Sequence, residues 1–239
     1  MLNPFLSTNA APLSEAYKSS SPFPHMVFEN FLDPTLMREA AVESQRLTYD
    51  YLKSDVEGYD EHENQFQKFG VCVDELPPLL KLISFYINQK EFLTFVRGVT
   101  GKPSLVGDPS YAGGGFHFTK RGGKLGIHHD FNFKGNPEQP ESYRKCNLII
   151  FLNDRWEDEW GGGLELWDKD LTRMHHYITP CLNKAVLFNI EDAPHGHPHP
   201  LQCPPNECRR SLAYYFYDDI PVNNRLYYRA HWKEGDQLV

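Results

Sequence analysis

Residues Leu125–Phe131 read LGIHHDF. Two histidines and an aspartate interrupt an otherwise apolar run, and burying such groups costs free energy unless something pairs with them. The run has the length and composition of a strand, and side chains two apart on a strand share a face. His128 and Asp130 therefore converge on one point, while His129 faces the other way. A partner for that point needs a further ligand from a different, downstream strand. The stretch DAPHGHPHP (Asp192–Pro200) offers His195, His197 and His199.

The surroundings of this stretch set the expected fold. From about Ser104, short apolar or aromatic runs alternate with Gly, Pro, Asn and Asp. Strands are expected at Ser110–Phe118, Lys124–Phe131, Lys145–Leu152, Leu164–Trp167, His175–Ile178, Ala185–Ile190 and Ser211–Tyr217. Many short strands separated by turn signals point to a sandwich or barrel.

Ahead of this β-core, at about 104–219, the sequence predicts helical support over about 33–101. In FPHMVFENFLDPTLMREAAVESQRL (Phe23–Leu47), an opening strand and turn lead into a helix. Asp33 is positioned to cap that helix, and Pro34 fits its first turn, where a missing N–H is harmless. ELPPLLKLISFYINQKEFLTFVRGVTG (Glu75–Gly101) reads as a second helical region, with prolines at its start and glycine at its end. Ser54–Lys68 is polar and reads as a loop or lid. Residues 1–22 read as a polar, mobile arm without the basic start and continuous apolar core of a signal peptide. Residues 23–239 read as a single domain. The tail from Asn223 is rich in aromatics and arginine, and fits either a cover over the barrel or a grip on substrate.

The chain has 239 residues, 40% of them apolar and 14% aromatic, which is enough to bury one sizeable core. Its formal net charge of -8 argues against a nucleic-acid partner, because phosphate binding needs clustered Lys and Arg. No apolar run approaches the roughly 18 residues that a membrane span needs. The five cysteines, Cys72, Cys146, Cys181, Cys203 and Cys208, are odd in number and irregularly spaced. That pattern argues against a secreted disulfide framework and for a cytoplasmic setting.

Two histidines and one carboxylate form the facial triad of non-haem Fe(II) oxygenases, which leaves three positions of an octahedron open. Those positions suit a chelating co-substrate and O2. Past the histidines comes CRRSLAYYFYDD (Cys208–Asp219). Arg210 stands at the start of a strand uncharged through Tyr217, a place suited to a bidentate grip on a carboxylate.

With these residues in view, the sequence resembles the Fe(II)/2-oxoglutarate-dependent dioxygenases, in their prolyl-hydroxylase-like branch. The ordered set is His128-x-Asp130, NLIIFLNDRWEDEWGGGLELWD, ITPCLNKAVLFN, HGHPHPL and RRSLAYYFY, preceded by PFPHMVFENFLDP. The resemblance implies an α+β chain, mainly β, with a double-stranded β-helix (jelly-roll, cupin-like) core and supporting N-terminal helices. It implies Fe(II), 2-oxoglutarate and O2 as cofactor and co-substrates, with ascorbate as an accessory reductant. His128, Asp130 and His195 would bind the metal, with His197 the competitor of His195. Arg210 would hold the C5 carboxylate of 2-oxoglutarate, with Arg209 its competitor. Some prolyl hydroxylases have a tyrosine where this chain has Phe151, so Asn147 or Tyr111 becomes the expected second contact to 2-oxoglutarate. Retention of Asp130 favours hydroxylation over halogenation.

The expected substrate is a prolyl residue of a protein or peptide, and the alternative is a free amino acid or other small metabolite. A non-catalytic metal-binding jelly-roll module is the alternative of another class. The histidines beside CPPNEC (Cys203–Cys208) could instead form a zinc site with Cys203 and Cys208, although the spacing is at the limit for structural zinc. WGGGLELWD (Trp160–Asp168) reads as a tight turn before a strand. In YAGGGFHF (Tyr111–Phe118), Tyr111 and His117 are candidates for lining the pocket.

Overall fold

The computed structural model describes residues 1–4, 6, 10–53, 68–136, 138–221 and 231–232. Its helices are α1 (Ala10–Ser19), α2 (Pro34–Lys53), α3 (Pro78–Ile87) and α4 (Lys90–Thr100). The strands are β1 (His25–Phe28), β2 (Lys68–Val71), β3 (Gly115–Lys120), β4 (Leu125–His129), β5 (Phe133–Asn136) and β6 (Gln139–Phe151). They continue as β7 (Leu164–Trp167), β8 (Met174–Ile178), β9 (Ala185–Asn189), β10 (His195–His197), β11 (Cys208–Asp218) and β12 (His231–Trp232).

These strands form two antiparallel sheets. The larger runs β1-β9-β6-β11-β3-β2, with β5 paired to β6, and the smaller runs β12-β4-β10-β7-β8. This is the double-stranded β-helix core, carrying its helices on the outer face of the larger sheet. Pairing partners in the larger sheet are far apart in sequence, as where Ser211 meets both His117 and Phe151.

Alternation along the central strands separates two apolar layers. Leu148 and Ile150 of β6, with Leu212, Tyr214 and Phe216 of β11, join Met37, Leu80, Ile83, Phe92 and Val96 in the layer beneath the helices. Ile149 and Phe151 point the other way and meet Leu164, Leu166, Val186 and Phe188 between the sheets. All eleven residues of β11 are buried, because it is central in a sheet covered on both faces. On the edge strand β8, four of five residues are exposed.

The helices start and stop where local chemistry requires. Asp33 Oδ1 accepts hydrogen bonds from the N–H groups of Thr35 (3.0 Å) and Leu36 (2.9 Å), capping α2 as its sequence predicts. Gly101 closes α4 with φ of 69°, a left-handed turn natural to glycine. Residues 1–22 depart from the expected mobile arm. They contain α1, whose Tyr17 is buried in the layer beneath the helices and lies 3.8 Å from Cys146 Sγ. A polar average hid a short amphipathic helix. The expected lid lies outside the described residues except for Lys68, and so does the tail from Asn223, except for β12 paired to β4.

Candidate metal centre

His128 on β4, Asp130 just beyond it and His195 on β10 meet between the sheets. One ligating atom from each lies within 4.8 Å of the others, and all three residues are buried. His128 Nε2 is 3.6 Å from Asp130 Oδ1, and His195 Nε2 is 3.8 Å from Asp130 Oδ2. Direct pairing of the strands causes the meeting, since His195 is the Cα partner of His128.

Each histidine is oriented from behind. His128 Nδ1 lies 2.9 Å from the carbonyl of Gly126, and His195 Nδ1 lies 2.9 Å from that of Ala193. Protons on Nδ1 satisfy these carbonyls and leave both Nε2 lone pairs for a metal, which is how a backbone carbonyl sets the tautomer of a ligand. Asn147 Nδ2 donates to Asp130 Oδ2 at 3.0 Å. The ring of Phe188 packs edge-on to His195 with centroids 4.7 Å apart.

The electrostatics fit a cation. Burial pushes the Asp130 carboxyl upward, but His195, His128 and Arg144 outweigh it and hold the group well below the usual carboxylate range. Burial pulls His195 down to about 4, against the opposing pull of Asp130, so its imidazole is neutral at pH 7. Two imidazoles and a carboxylate are the donor set of an open Fe(II) site. Among the described residues no other His, Cys, Asp and Glu group could hold a metal. The zinc alternative therefore has no counterpart: His199 is exposed and beyond reach of the cysteines, and Cys203 Sγ is bound to the Glu207 carbonyl at 3.3 Å.

The two arginines lie on opposite faces of β11. Arg210 lies on the helix-facing side of β11, where its Nε donates to Thr48 Oγ1 of α2 at 2.9 Å. Its neighbours on that face, Leu212 and Tyr214, belong to the layer beneath the helices. Arg209 faces the space between the sheets. It donates from Nε to the carbonyl of Gly162 at 2.7 Å, and its guanidinium lies 5.0 Å from the ring centroid of Phe151. Burial lowers it to about 10, so it remains a cation at neutral pH, and it makes no ion pair among the described residues. Assignment of the inward cation to Arg210 is therefore corrected by one residue. The WGGG turn also acquires a role, because the Gly162 carbonyl aims Arg209.

Tyr111 does not join the site either. Its hydroxyl donates to the carbonyl of Ser84 on α3 at 3.1 Å, and its ring packs edge-on to Tyr214, on the helix side. Asn147 does face the triad. Tyr111 and His117 both line a cavity of about 610 Å³, together with Lys68, Gly70 and Gly113. Burial, then Lys68 and Arg209, keep His117 well below the usual histidine range.

Two features escaped the sequence reading. Arg144 is fully buried with its guanidinium 3.4 Å from the ring centroids of both Phe131 and Tyr215, and it donates to Tyr217 Oη from Nε and Nη2. No local motif announces a sandwich assembled from residues so far apart in the chain. His197 is buried with neither ring nitrogen hydrogen-bonded among the described residues. Between it and His195, Gly196 allows the close approach of β10 to β4, because a Cβ there would lie 2.5 Å from the Gly126 carbonyl oxygen.

Residues 114–217 match the family model of the 2OG-Fe(II) oxygenase superfamily. No curated protein matches the chain. Among solved structures, it is similar to a prolyl-4-hydroxylase from Pseudomonas putida, at 16% identity and TM-score 0.56, over 86% of this chain and 98% of that one. It is similar to a prolyl hydroxylase from Trichoplax adhaerens in complex with a hypoxia inducible factor peptide fragment, at 16% identity and TM-score 0.58, over 91% and 94%. It is also similar to HygX from Streptomyces hygroscopicus with nickel, 2-oxoglutarate and hygromycin B bound, at 11% identity and TM-score 0.53, over 84% and 85%. At these identities the likeness is one of fold.

Proposed function

We propose, from the match of residues 114–217 to the family model of the 2OG-Fe(II) oxygenase superfamily, that this chain is a member of that superfamily and a hydroxylase of unactivated C–H bonds. Members of that superfamily work with Fe(II), 2-oxoglutarate and O2. The observation that carries the reading is the buried cluster of His128, Asp130 and His195, with its atoms within 4.8 Å and both Nδ1 atoms on backbone carbonyls. Iron with 2-oxoglutarate, when bound, supplies the activation of O2 that inserts one oxygen atom into substrate and leaves succinate and CO2.

The chain's own residues supply the rest. His128, Asp130 and His195 would hold the metal on one face. Asn147 keeps one Asp130 oxygen oriented. Arg209 would receive the distal carboxylate of 2-oxoglutarate, since it is an inward cation without an ion-pair partner among the described residues. Phe151, Ile149 and Phe188 wall this space with apolar surface and keep water out.

The substrate we infer is a prolyl residue in a protein or peptide. The fold likeness to two prolyl hydroxylases, one with a peptide bound, supports this. The alternative, a small molecule, is supported by the fold likeness to HygX with hygromycin B bound. The test is anaerobic absorption of the chain with Fe(II), before and after adding 2-oxoglutarate. A weak visible charge-transfer band is expected on addition, and bound iron without a band would overturn the oxygenase reading. Succinate release stimulated by prolyl peptides, against small polar metabolites, then decides between the substrate classes.

A further inference from the structure

His197 has no explanation in the metal centre. It lies on β10 two residues past His195, is 2% exposed, and presents two ring nitrogens with no hydrogen-bond partner among the described residues. An imidazole carries one N–H donor and one acceptor even when neutral, and leaving both unmade inside a protein is costly. Among the described residues, Arg209 and Lys68 are the cations that act most on its ring. Arg209 is equally unfinished. It gives Nε to Gly162 and a long 3.4 Å contact from Nη1 to Ser211 Oγ, and it has no anionic partner among the described residues. Phe151, which covers the guanidinium, offers no hydrogen bond.

We propose that His197 is a second recognition residue for the distal carboxylate of 2-oxoglutarate, donating from its ring to one carboxylate oxygen while Arg209 takes the other. The inference rests on the reading of Arg209 given above. It assigns to this chain a histidine as the donor that distinguishes a dicarboxylic 2-oxo acid from a monocarboxylic one. A buried pocket polar group left unpaired by a truncated ligand is the strongest form of such discrimination.

The test uses the full chain loaded anaerobically with Mn(II). Calorimetric titrations compare 2-oxoglutarate with pyruvate, which has the same 2-oxo acid head and no distal carboxylate. His197→Leu is expected to weaken 2-oxoglutarate binding by about ten- to hundred-fold, the range for a hydrogen bond to a charged group. Its Mn(II) and pyruvate affinities should stay within about twofold, a change equivalent to less than one ordinary hydrogen bond. His197→Gln, which keeps a donor, should recover most of the loss. If the wild type prefers 2-oxoglutarate but His197→Leu weakens both acids alike, or loses Mn(II), His197 merely supports His195 and the inference is overturned. If the wild type binds both acids equally, the reading of Arg209 fails and takes the inference with it.

Discussion

Asn147 Nδ2 donates to Asp130 Oδ2 at 3.0 Å, the same oxygen that lies 3.8 Å from His195 Nε2. A side chain on the larger sheet thus holds a ligand of the smaller sheet in register with its neighbour. The two sheets share one polar contact at the point where the metal would sit.

Removing that contact should loosen the site without emptying it. Asn147→Ala is expected to weaken Fe(II) or Mn(II) binding by about 10- to 100-fold, the usual consequence of losing an outer partner of a ligand. Competition against a chelator of known affinity measures this. An unchanged metal affinity would show that Asp130 is held by the strand alone.

The two adjacent arginines should separate cleanly. Arg209→Ala is expected to raise the 2-oxoglutarate Kd by about 100-fold or more, with metal affinity intact, because a desolvated charge pair is lost. Arg210→Ala should leave that Kd nearly unchanged and instead cost about 2–4 kcal/mol of stability, through the lost packing and the broken bond to Thr48. Urea unfolding alongside co-substrate titration reads both effects. The reverse pattern would place Arg210 in the pocket.

Gly196 tests the strand pairing that makes the site. A Cβ there would meet the carbonyl oxygens of Gly126 at 2.5 Å and Leu125 at 2.8 Å, both of them backbone atoms. Gly196→Ala should push β10 away from β4, cost about 2–3 kcal/mol as an overpacked position does, and weaken metal binding. Thermal unfolding and metal titration check it together. A variant with wild-type values in both would contradict the close approach.

The metal-free protein should lose stability on acidification. Burial lowers His195 to about 4 against the opposing pull of Asp130, and burial, then the cations Arg209 and Lys68, hold His117 and His197 well below the ordinary value of 6.5. Between those limits the unfolded chain binds more protons than the folded one, so stability rises with pH. The contribution is complete above about 6.5 and drains away as pH falls toward about 4. Melting temperatures measured without metal across this window should fall steadily, and less steeply in His197→Leu. A flat profile would mean that these rings are hydrated in the folded state.

Several features were legible in the chain alone because they rest on local rules. The two-residue period of a strand put His128 and Asp130 on one face, and any strand there would do so. Asp33 and Gly101 marked helix ends through hydrogen bonds and a backbone angle that involve only neighbouring residues. Turn signals spaced between apolar runs announced most strands of the β-core. The β5 hairpin and the three-residue β10 were too short to show any period.

What the tertiary structure decided depends on register and on which face is covered. By strand period alone the three histidines in HGHPH were equivalent, and only the family resemblance favoured His195. Pairing of His195 with His128 across the sheet chose one of them, buried His197 unpartnered beside it, and left His199 exposed. Arg209 and Arg210 were indistinguishable until helix α2 covered one face of β11 and the smaller sheet covered the other. A one-residue shift along a strand inverts the face a side chain occupies, and only packing on both sides of the sheet reveals which inversion holds.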